Sequence, residues 1–349
     1  MRETEKKPEE TAGEESEKLL EIDGLRTWFY TKAGIVKAVE DVSLEIHKGE
    51  AVGIVGESGC GKSMTAMSVM GLLKHPGKIA GGEIHFCGNE LVSMPQKQRR
   101  AIIGNEISMI FQEPMTSLNP VLTVGRQVRE AITCHEHISK EEAKERVLAA
   151  FRQVGIPDAE KRYHEYPHQL SGGLRQRIMI AMAMACNPKL LIADEPTTAL
   201  DVTIEAQILH LMKELQEQNH MAVMMITHNL GVVAQFCTRM YVMYAGRVME
   251  SGMVSDIFKH VCHPYTEGLM RSLPSMESKE RLYNIRGMVP NMLSLPKGCR
   301  FCSRCEYSSR RCFEEEPELY EAEPGHCIRC FRFEPKTNGE KETEQEVRE

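Results

Sequence analysis

Four short runs of the sequence are apolar at nearly every position. They cover residues 51–55, 107–111, 190–193 and 222–226. A strand with one face in water alternates apolar and polar residues, whereas a strand of a parallel sheet covered on both faces is apolar throughout. These runs therefore predict parallel strands of a buried central sheet.

Between the apolar runs, hydrophobic residues return at three- and four-residue intervals, which is the spacing of one helix face. Three such stripes are formed by Met67, Met70 and Leu73, by Val147, Phe151 and Val154, and by Ile204, Ile208, Leu211 and Leu215. Ser139 precedes the second stripe and Glu142 follows three residues on, which predicts a capping box at a helix start. Strands that alternate with helices predict an α/β fold with a doubly wound core.

The two ends of the chain differ from its middle. Residues 1–18 and 336–349 are rich in charge without apolar periodicity, and we expect two disordered tails there. A loose alternation at Val39, Val42, Leu44 and Ile46 predicts further sheet before the first buried strand. From Cys262 onward prolines punctuate the sequence, so we predict a main domain over 19–262 and a smaller C-terminal unit over 263–335.

The net charge of −7 is concentrated at the two ends. Residues 1–18 carry seven Glu against four Lys and Arg, and residues 336–349 carry five against three, so the tails hold −5 of the total. Proteins that bind nucleic acid through bulk charge have a clear basic excess. The nearly neutral body therefore argues against a nucleic-acid partner.

No segment approaches the roughly 18 uninterrupted apolar residues that cross a bilayer, and residues 1–18 lack the apolar core of a signal peptide. We therefore expect the chain to stay in the cytoplasm. Six of the twelve cysteines lie between Cys299 and Cys330. Disulfides seldom persist in a reducing compartment, so this cluster indicates metal binding.

Residues 56–63 fit the phosphate-binding loop pattern and lie between a predicted strand and a predicted helix. Glycines let the backbone curl so that its N–H groups point at phosphate oxygens, beside the positive end of the helix. We predict that Lys62 neutralises the β and γ phosphates and that Ser63 ligates Mg²⁺. The predicted nucleotide contacts are Gly56, Glu57, Ser58, Gly59, Cys60, Gly61, Lys62 and Ser63.

Two adjacent carboxylates end the apolar run at 190–193. A phosphate-binding loop needs an acidic partner for its metal, and Asp194 is placed to hold Mg²⁺, through water. Glu195 is placed to polarise the attacking water. Together with the loop, the two carboxylates predict a P-loop NTPase.

Residues 170–177, Leu-Ser-Gly-Gly-Leu-Arg-Gln-Arg, narrow the class, because they resemble the signature segment of ABC ATPases. The rest of that family's motif set follows in order. Gln112 resembles the Q-loop residue, residues 199–201 the D-loop ending in Asp201, and His228 the switch histidine. The resemblance implies an ABC nucleotide-binding domain with a RecA-like parallel-sheet core, an antiparallel β subdomain and a helical subdomain near 112–189.

The resemblance also implies roles for these residues. Ser171 would cap a helix whose exposed N–H groups, with Gly172 and Gly173, approach the γ-phosphate held by the opposite subunit. Two chains would therefore close two sites. Gln112 would contact Mg²⁺ or the attacking water, and His228 would hold the γ-phosphate. Adenine should stack on an aromatic near the first strand, where Trp28, Phe29 and Tyr30 all qualify and Phe29 and Tyr30 are the candidates retained.

Within ABC transporters, the chain is most similar to the ATPase subunits of dipeptide and oligopeptide permeases, a group that includes nickel importers. The similarity rests on residues 55–59, 111–120, 194–201 and 263–266. Members of the group share a cysteine pattern proposed to hold an iron–sulfur cluster, and Cys299, Cys305, Cys312 and Cys330, with His326, match it. Thiolates suit a [4Fe–4S] cluster or Zn²⁺ equally, and Cys302 and Cys327 leave open a zinc ribbon built from two Cys-x-x-Cys pairs.

We therefore expect an ATP- and Mg²⁺-dependent motor at the cytoplasmic face of the cell membrane that energises uptake of di- or oligopeptides. The expected partners are two membrane-spanning permease subunits, a second ABC ATPase subunit (a paralogue or the chain itself) and, indirectly, an extracellular solute-binding protein. Two alternatives stay open at this point. One is an importer motor for nickel or another small solute, and the other is a non-transport ABC ATPase.

Overall fold

The computed structural model describes residues 17–112, 117–198, 200–273 and 283–335. Of the two predicted tails, only residues 17 and 18 lie within these ranges. Lys18 is the first residue of the first strand. Residues 113–116 of the Q-loop segment and Ala199 of the D-loop also fall outside.

Twelve strands are formed within the described ranges. Their bounds are β1 Lys18–Thr31, β2 Gly34–His47, β3 Ala51–Val55, β4 Gly77–Phe86, β5 Asn89–Glu90, β6 Ile107–Ile110, β7 Leu190–Asp194, β8 Ala222–Thr227, β9 Arg239–Tyr244, β10 Arg247–Met253, β11 Tyr320–Glu323 and β12 His326–Ile328. All four predicted buried strands are present as β3, β6, β7 and β8, within one residue of the expected bounds.

The helices of the described ranges alternate with these strands. Their bounds are α1 Lys62–Met70, α2 Gln96–Ile102, α3 Val124–Thr133, α4 Lys140–Gln153, α5 Ala159–Tyr163, α6 Gly172–Met184, α7 Val202–Asn219, α8 Leu230–Phe236, α9 Val254–Lys259, α10 Pro264–Arg271 and α11 Arg310–Glu314. Single 3-10 turns cover Pro167–Gln169, Cys302–Arg304 and Phe331–Phe333.

The central sheet has the strand order β11-β12-β10-β9-β3-β8-β7-β6. Strands β9, β3, β8, β7 and β6 run parallel. Successive residues of β3 point to opposite faces, and both faces are buried: Ala51 and Val55 join one apolar cluster, Val52 and Ile54 the other. The continuous apolar runs therefore reflect a sheet covered on two sides, as predicted.

Each face of the central sheet is covered by a different layer. A four-stranded antiparallel sheet, β2-β1-β4-β5, packs on one face of the central sheet. It contributes Leu20, Ile22 and Ile84 to the apolar cluster that contains Val52 and Ile54. Helices cover the other face, where Val128, Phe151 and Ile178 of α3, α4 and α6 belong to the opposite cluster. These layers give the α/β architecture with an antiparallel β part and a helical part.

The C-terminal segment continues the central sheet. Strand β12 pairs antiparallel with β10, with Glu250 opposite Ile328 and Ser251 opposite Cys327, and β11 pairs with β12. This pairing was not predicted from the sequence. The proposed domain division after residue 262 stays a prediction, but β12 of the expected smaller unit lies in the main sheet.

Helix ends follow local backbone chemistry. Ser139 caps α4, since its hydroxyl accepts from the Glu142 N–H at 3.1 Å. The expected extension of the first helix to Leu73 is wrong, because α1 ends at Met70 and Gly71 adopts φ +66°. Among the described residues, no helix combines the length and apolar content needed to cross a membrane.

Candidate active site

The P-loop links β3 to α1 and depends on two glycines. A Cβ at Gly56 would lie 2.1 Å from the carbonyl oxygen of Met243, and one at Gly61 would lie 2.5 Å from that of Ala38. Both residues have positive φ, at 152° and 109°. Only glycine combines this backbone with such close approach. The curled loop leaves the start of α1, which has no side-chain cap, facing the space that a phosphate would fill.

Lys62 is buried and lies over the loop. Its ammonium donates to the carbonyl oxygens of Gly56 at 2.7 Å and Glu57 at 3.1 Å. Cys60 lies beneath the loop, with its thiol 3.9 Å from the Lys62 ammonium, and burial raises the thiol pKa. The loop therefore presents Lys62 and backbone N–H groups to an anion, while the Cys60 side chain belongs to the core.

Ser63 and Asp194 lie side by side where α1 begins and β7 ends. The Ser63 hydroxyl donates to the Asp194 carboxylate at 3.0 Å. Burial raises the pKa of Asp194, the nearby Glu195 charge adds to the rise, and the Ser63 hydrogen bond partly offsets it. A hydroxyl and a carboxylate at this distance are the oxygen donors that Mg²⁺ prefers, and a bound cation would favour the ionised carboxylate.

The other predicted catalytic side chains, Gln112 and His228, lie next to Glu195. Its carboxylate accepts from the Gln112 amide at 3.0 Å and from the Thr198 hydroxyl at 2.9 Å, and the His228 Nδ1 lies 3.2 Å away. Gln112, Glu195 and His228 follow the adjacent strands β6, β7 and β8, so the carboxyl edge of the sheet brings them together.

The environment of Glu195 favours its charged form. Burial alone would raise its pKa, but hydrogen bonds from His228 and Thr198 outweigh burial and lower it. Its backbone φ of +46° is uncommon for a non-glycine residue and is the kind of strain found at active sites. The carboxylate is thus ionised and fixed in direction.

The signature segment lies against the D-loop. Ser171 caps α6 by accepting from the Leu174 N–H at 3.4 Å, and Asp201 caps α7 by accepting from the Ile204 N–H at 3.0 Å. A Cβ at Gly173 would lie 3.1 Å from Ile204, so the two helix starts are in contact. In the described ranges, no hydrogen bond or ion pair joins Ser171, Gly172 or Gly173 to residues 56–63.

The aromatic candidates for adenine stacking lie on β1. Trp28 is engaged by Glu40, whose carboxylate accepts from the indole N–H at 2.7 Å. Phe29 is half-buried against Gly77, and Tyr30 is 40% exposed beneath the Lys78 ammonium. Strand β2, the partner of β1, passes the P-loop at Ala38, which places this hairpin beside the loop. The choice between Phe29 and Tyr30 stays a prediction.

Five of the six C-terminal cysteines line one cavity of about 230 Å³, which we call the thiol cavity. They are the four predicted ligands Cys299, Cys305, Cys312 and Cys330, together with Cys302. Burial raises the pKa of Cys299 to about 12 and also raises the thiol pKa of Cys302, Cys305 and Cys330.

Two residues of the cysteine pattern lie away from the thiol cavity. Cys327 faces a separate groove next to Ser251, so the two Cys-x-x-Cys pairs do not converge. The His326 Nε2 lies 2.8 Å from the Glu250 carboxylate, which also accepts from the N–H groups of Cys262 and His263. His326 therefore belongs to a buried hydrogen-bonded group that supports the β10–β12 pairing.

Sequence reasoning missed two contacts between the C-terminal segment and the P-loop. Arg304 forms an ion pair with Glu57, and the Tyr265 hydroxyl accepts from the Glu57 N–H at 2.8 Å. More than 200 residues separate these partners in the sequence. No spacing or periodic pattern in the sequence signals such a contact.

Comparison with known proteins matches two parts of the chain to families. Residues 39–198 match the ABC transporter family, and residues 249–312 match the oligopeptide/dipeptide transporter C-terminal region.

Relatives match over nearly their whole length. The chain is 49% identical over 318 residues to the oligopeptide transport ATP-binding protein AppD of Bacillus subtilis, covering 90% of this chain and 97% of AppD. It is 48% identical to the dipeptide transport ATP-binding protein DppD of Escherichia coli, covering 89% of this chain and 96% of DppD.

Solved structures show the same fold. The dimeric ATP-binding cassette MJ0796, in a post-hydrolysis state bound to ADP and Pi, superposes with a TM-score of 0.61 at 28% identity, covering 68% of this chain and 99% of that one. The cbiO1 protein of Clostridium perfringens, part of the ABC transporter complex cbiONQ, has a TM-score of 0.59 at 27% identity, covering 70% and 92%.

Proposed function

The chain belongs to the ATP-binding subunits of ABC transporters, in the branch that carries the oligopeptide/dipeptide C-terminal region, and on this premise we propose that it powers the import of di- or oligopeptides. The observation that carries the proposal is the near-complete match to AppD and DppD, which includes the C-terminal region. AppD and DppD are named for oligopeptide and dipeptide transport, and this cargo is what we infer for the chain.

The P-loop geometry supports ATP as the bound nucleotide. Backbone N–H groups of residues 56–63 and the Lys62 ammonium hold the β and γ phosphates. Ser63 and Asp194 are the residues that would hold Mg²⁺, which supplies charge neutralisation on the phosphates when bound. His228 and Gln112, both within hydrogen-bond reach of Glu195, orient the γ-phosphate and the attacking water.

Glu195 acts as the general base or polarising group for that water. Its lowered pKa keeps it ionised, and hydrogen bonds from Gln112 and Thr198 hold the carboxylate in place. Ser171, Gly172 and Gly173 complete the site of a second subunit rather than the site of their own chain. This arrangement is supported by the absence, among the described residues, of any hydrogen bond or ion pair between them and the P-loop, and by the dimeric state of the similar cassette MJ0796.

The remaining parts of the proposal concern partners and place. Peptide import requires two membrane-spanning permease subunits and a solute-binding protein that delivers the cargo, and the second ATPase subunit is either a paralogue or the chain itself. The chain would work at the cytoplasmic face of the cell membrane. Its ATP-dependent closure with the second subunit would drive the permease pair.

Uptake measurements test the cargo. In cells that lack the chromosomal gene, the normal chain should restore uptake of labelled dipeptides and oligopeptides, and Glu195→Gln should not, because ATP binds without being hydrolysed. Glu217→Gln, an exposed change on α7, is the matched control and should restore uptake fully. Restoration of labelled nickel uptake without peptide uptake would contradict the peptide proposal.

We also propose that the thiol cavity holds an iron–sulfur cluster, which would cross-link the C-terminal segment. Four thiolates on one tetrahedral Zn²⁺ at about 2.3 Å lie about 3.8 Å from one another. In the described ranges, no three of these thiols have sulfur atoms within 4.8 Å of one another. A cavity of about 230 Å³ with widely spaced thiols fits a polynuclear cluster better than a single ion.

Metal analysis of the anaerobically purified chain tests the cluster and its ligands. The wild-type chain should contain iron and acid-labile sulfide, and Cys305→Ser should lose most of both. Cys327→Ser, which changes a thiol outside the cavity, should keep them. Stoichiometric zinc in place of iron, or full iron content in Cys305→Ser, would contradict this assignment.

A further inference from the structure

Arg304 forms a two-point ion pair with Glu57, the second residue of the P-loop. Nη1 lies 2.6 Å from Oε2 and Nη2 lies 3.0 Å from Oε1. Paired contacts between guanidinium and carboxylate are among the stronger charged hydrogen bonds in proteins. The Arg304 side chain is only 4% exposed and that of Glu57 is 28% exposed, so solvent screens the pair weakly.

The backbone of Glu57 is held from the same side. Its N–H donates to the hydroxyl of Tyr265, a fully buried residue. The Tyr265 ring lies 4.7 Å from that of Tyr244 and 5.4 Å from that of Phe301. Residues that follow β10 in the chain thus hold both the main chain and the side chain of Glu57.

The position of Glu57 bears directly on phosphate binding. Its carbonyl oxygen accepts from the Lys62 ammonium at 3.1 Å, so a shift of Glu57 moves a partner of the predicted phosphate ligand. Its carboxylate is a negative charge next to the phosphate site, which would repel a nucleotide if left unpaired. Arg304 cancels that charge and keeps it in one place.

Arg304 is also connected to the thiol cavity through its neighbours in the chain. Arg304 ends the 3-10 turn Cys302–Arg304, and both Cys302 and Cys305 line the cavity. Its Nε donates to the Arg286 carbonyl at 2.9 Å and its Nη2 to the Ile285 carbonyl at 3.3 Å. All three guanidinium nitrogens are thus bonded, so the Arg304 side chain links the turn to Ile285, Arg286 and Glu57.

We propose that Arg304 is a positioning residue that transmits the state of the thiol cavity to the P-loop. An occupied cavity holds the turn, Arg304 then orients and neutralises Glu57, and the nucleotide binds tightly. An empty cavity frees the turn, and nucleotide binding weakens. The link to occupancy rests on the metal cluster proposed above, whereas the Arg304–Glu57 pair stands on the structure alone.

Equilibrium binding of fluorescent ADP and ATP to the purified full-length, metal-loaded chain tests the pair. Arg304→Ala should weaken binding by about tenfold, the loss expected for one charged contact. Arg304→Lys, which keeps the charge without the two-point contact, should fall between it and the wild type. Arg310→Ala, a change at a 91% exposed arginine of the same segment, should bind normally. Wild-type affinity in a folded Arg304→Ala chain would overturn the proposal.

A charge rescue separates this role from a general effect on folding. The double variant Arg304→Ala with Glu57→Gln should recover most of the lost affinity, because the unpaired carboxylate is gone. Equal weakness in the single and double variants would show that Arg304 acts only by supporting the fold, and would overturn the proposal.

A double-mutant cycle tests the link to the cavity. Cys305→Ser should weaken nucleotide binding in the wild-type background. It should have little further effect in Arg304→Ala, because that variant no longer links the cavity to Glu57. Additive losses would overturn the coupling. A chain that purifies without any metal would reject the proposed cluster and the coupling with it, while the binding and rescue experiments would still decide the pair.

Discussion

Asp194 and Glu195 are neighbours in sequence whose surroundings push their pKa values in opposite directions. Burial raises the pKa of Asp194, while donors from His228 and Thr198 overcome burial and lower that of Glu195. Adjacent carboxylates with opposed shifts indicate separate tasks. We propose that Asp194 is the Mg²⁺ ligand and would ionise fully beside the cation, whereas Glu195, the proposed base, would already be ionised before the cation binds.

Glu195→Gln should retain ATP binding and lose hydrolysis. The amide keeps the shape of the side chain but cannot accept a proton from water, and loss of a general base costs about a hundredfold to ten-thousandfold in rate. Phosphate release and nucleotide affinity, measured on the same preparation beside Glu217→Gln, check this. Turnover at the wild-type rate would remove Glu195 from the role.

Residues could be predicted from the sequence where chemistry is local. The loop at 56–63 and the carboxylates at 194 and 195 each sit in one short motif, next to a strand whose apolar run is visible. The Arg304–Glu57 pair joins positions 247 residues apart and leaves no such trace. Cys302 lies between these two cases. It belongs to a visible cysteine cluster, but its place in the lining of the thiol cavity depends on a single 3-10 turn.

At the scale of elements, strands β3, β6, β7 and β8 were predictable because burial on both faces makes them continuously apolar. Strand β12 has three residues, His326–Ile328, too few to show a period, and its place beside β10 follows from tertiary contacts. Helix α1 ended early because Gly71 takes up the left-handed conformation that a stripe of hydrophobic residues does not reveal.

The start of α10 makes the stability of the chain pH-dependent. His263 caps this helix, since its Nδ1 accepts from the Tyr265 N–H at 3.0 Å, and burial lowers the pKa of His263 to about 4. Below about pH 6.5 the unfolded chain takes up a proton at His263 that the folded chain does not, so the free energy of unfolding falls until about pH 4.

His263→Asn should remove this part of the pH dependence, because asparagine also caps helices but does not titrate. We expect the free energy of unfolding of the wild type, measured by urea titration, to fall more steeply between pH 6.5 and about pH 4 than that of the variant, by up to about 1.4 kcal/mol per pH unit. Parallel curves for the two proteins would show that His263 does not contribute to the acid sensitivity.

At the scale of the whole molecule, we propose that the chain carries two half-sites. The P-loop and Glu195 would form one, and Ser171, which caps α6 next to the α7 cap Asp201, would form the other. On this proposal the chain binds nucleotide alone but needs a second subunit to surround it.

Ser171→Arg should therefore leave nucleotide affinity of the isolated chain unchanged while abolishing ATP-driven association and hydrolysis. The reason is that an arginine at the start of α6 blocks contact with the phosphate of the other subunit. Fluorescent nucleotide binding and sedimentation with ATP measure the two effects. Ser139→Arg, which alters the cap of a different helix, α4, is the control. Weakened binding in the isolated Ser171→Arg chain would place Ser171 in its own site.

The pairing of β12 with β10 bears on how this protein can be shortened. A chain cut before β11 would leave β10 as an open sheet edge, whose free N–H and C=O groups offer a template for pairing with other chains. Glu250, fully buried on that strand, would also lose His326 and face the opened edge. The C-terminal segment is thus a cover against self-association, and removing it to obtain a minimal cassette would yield an aggregation-prone protein.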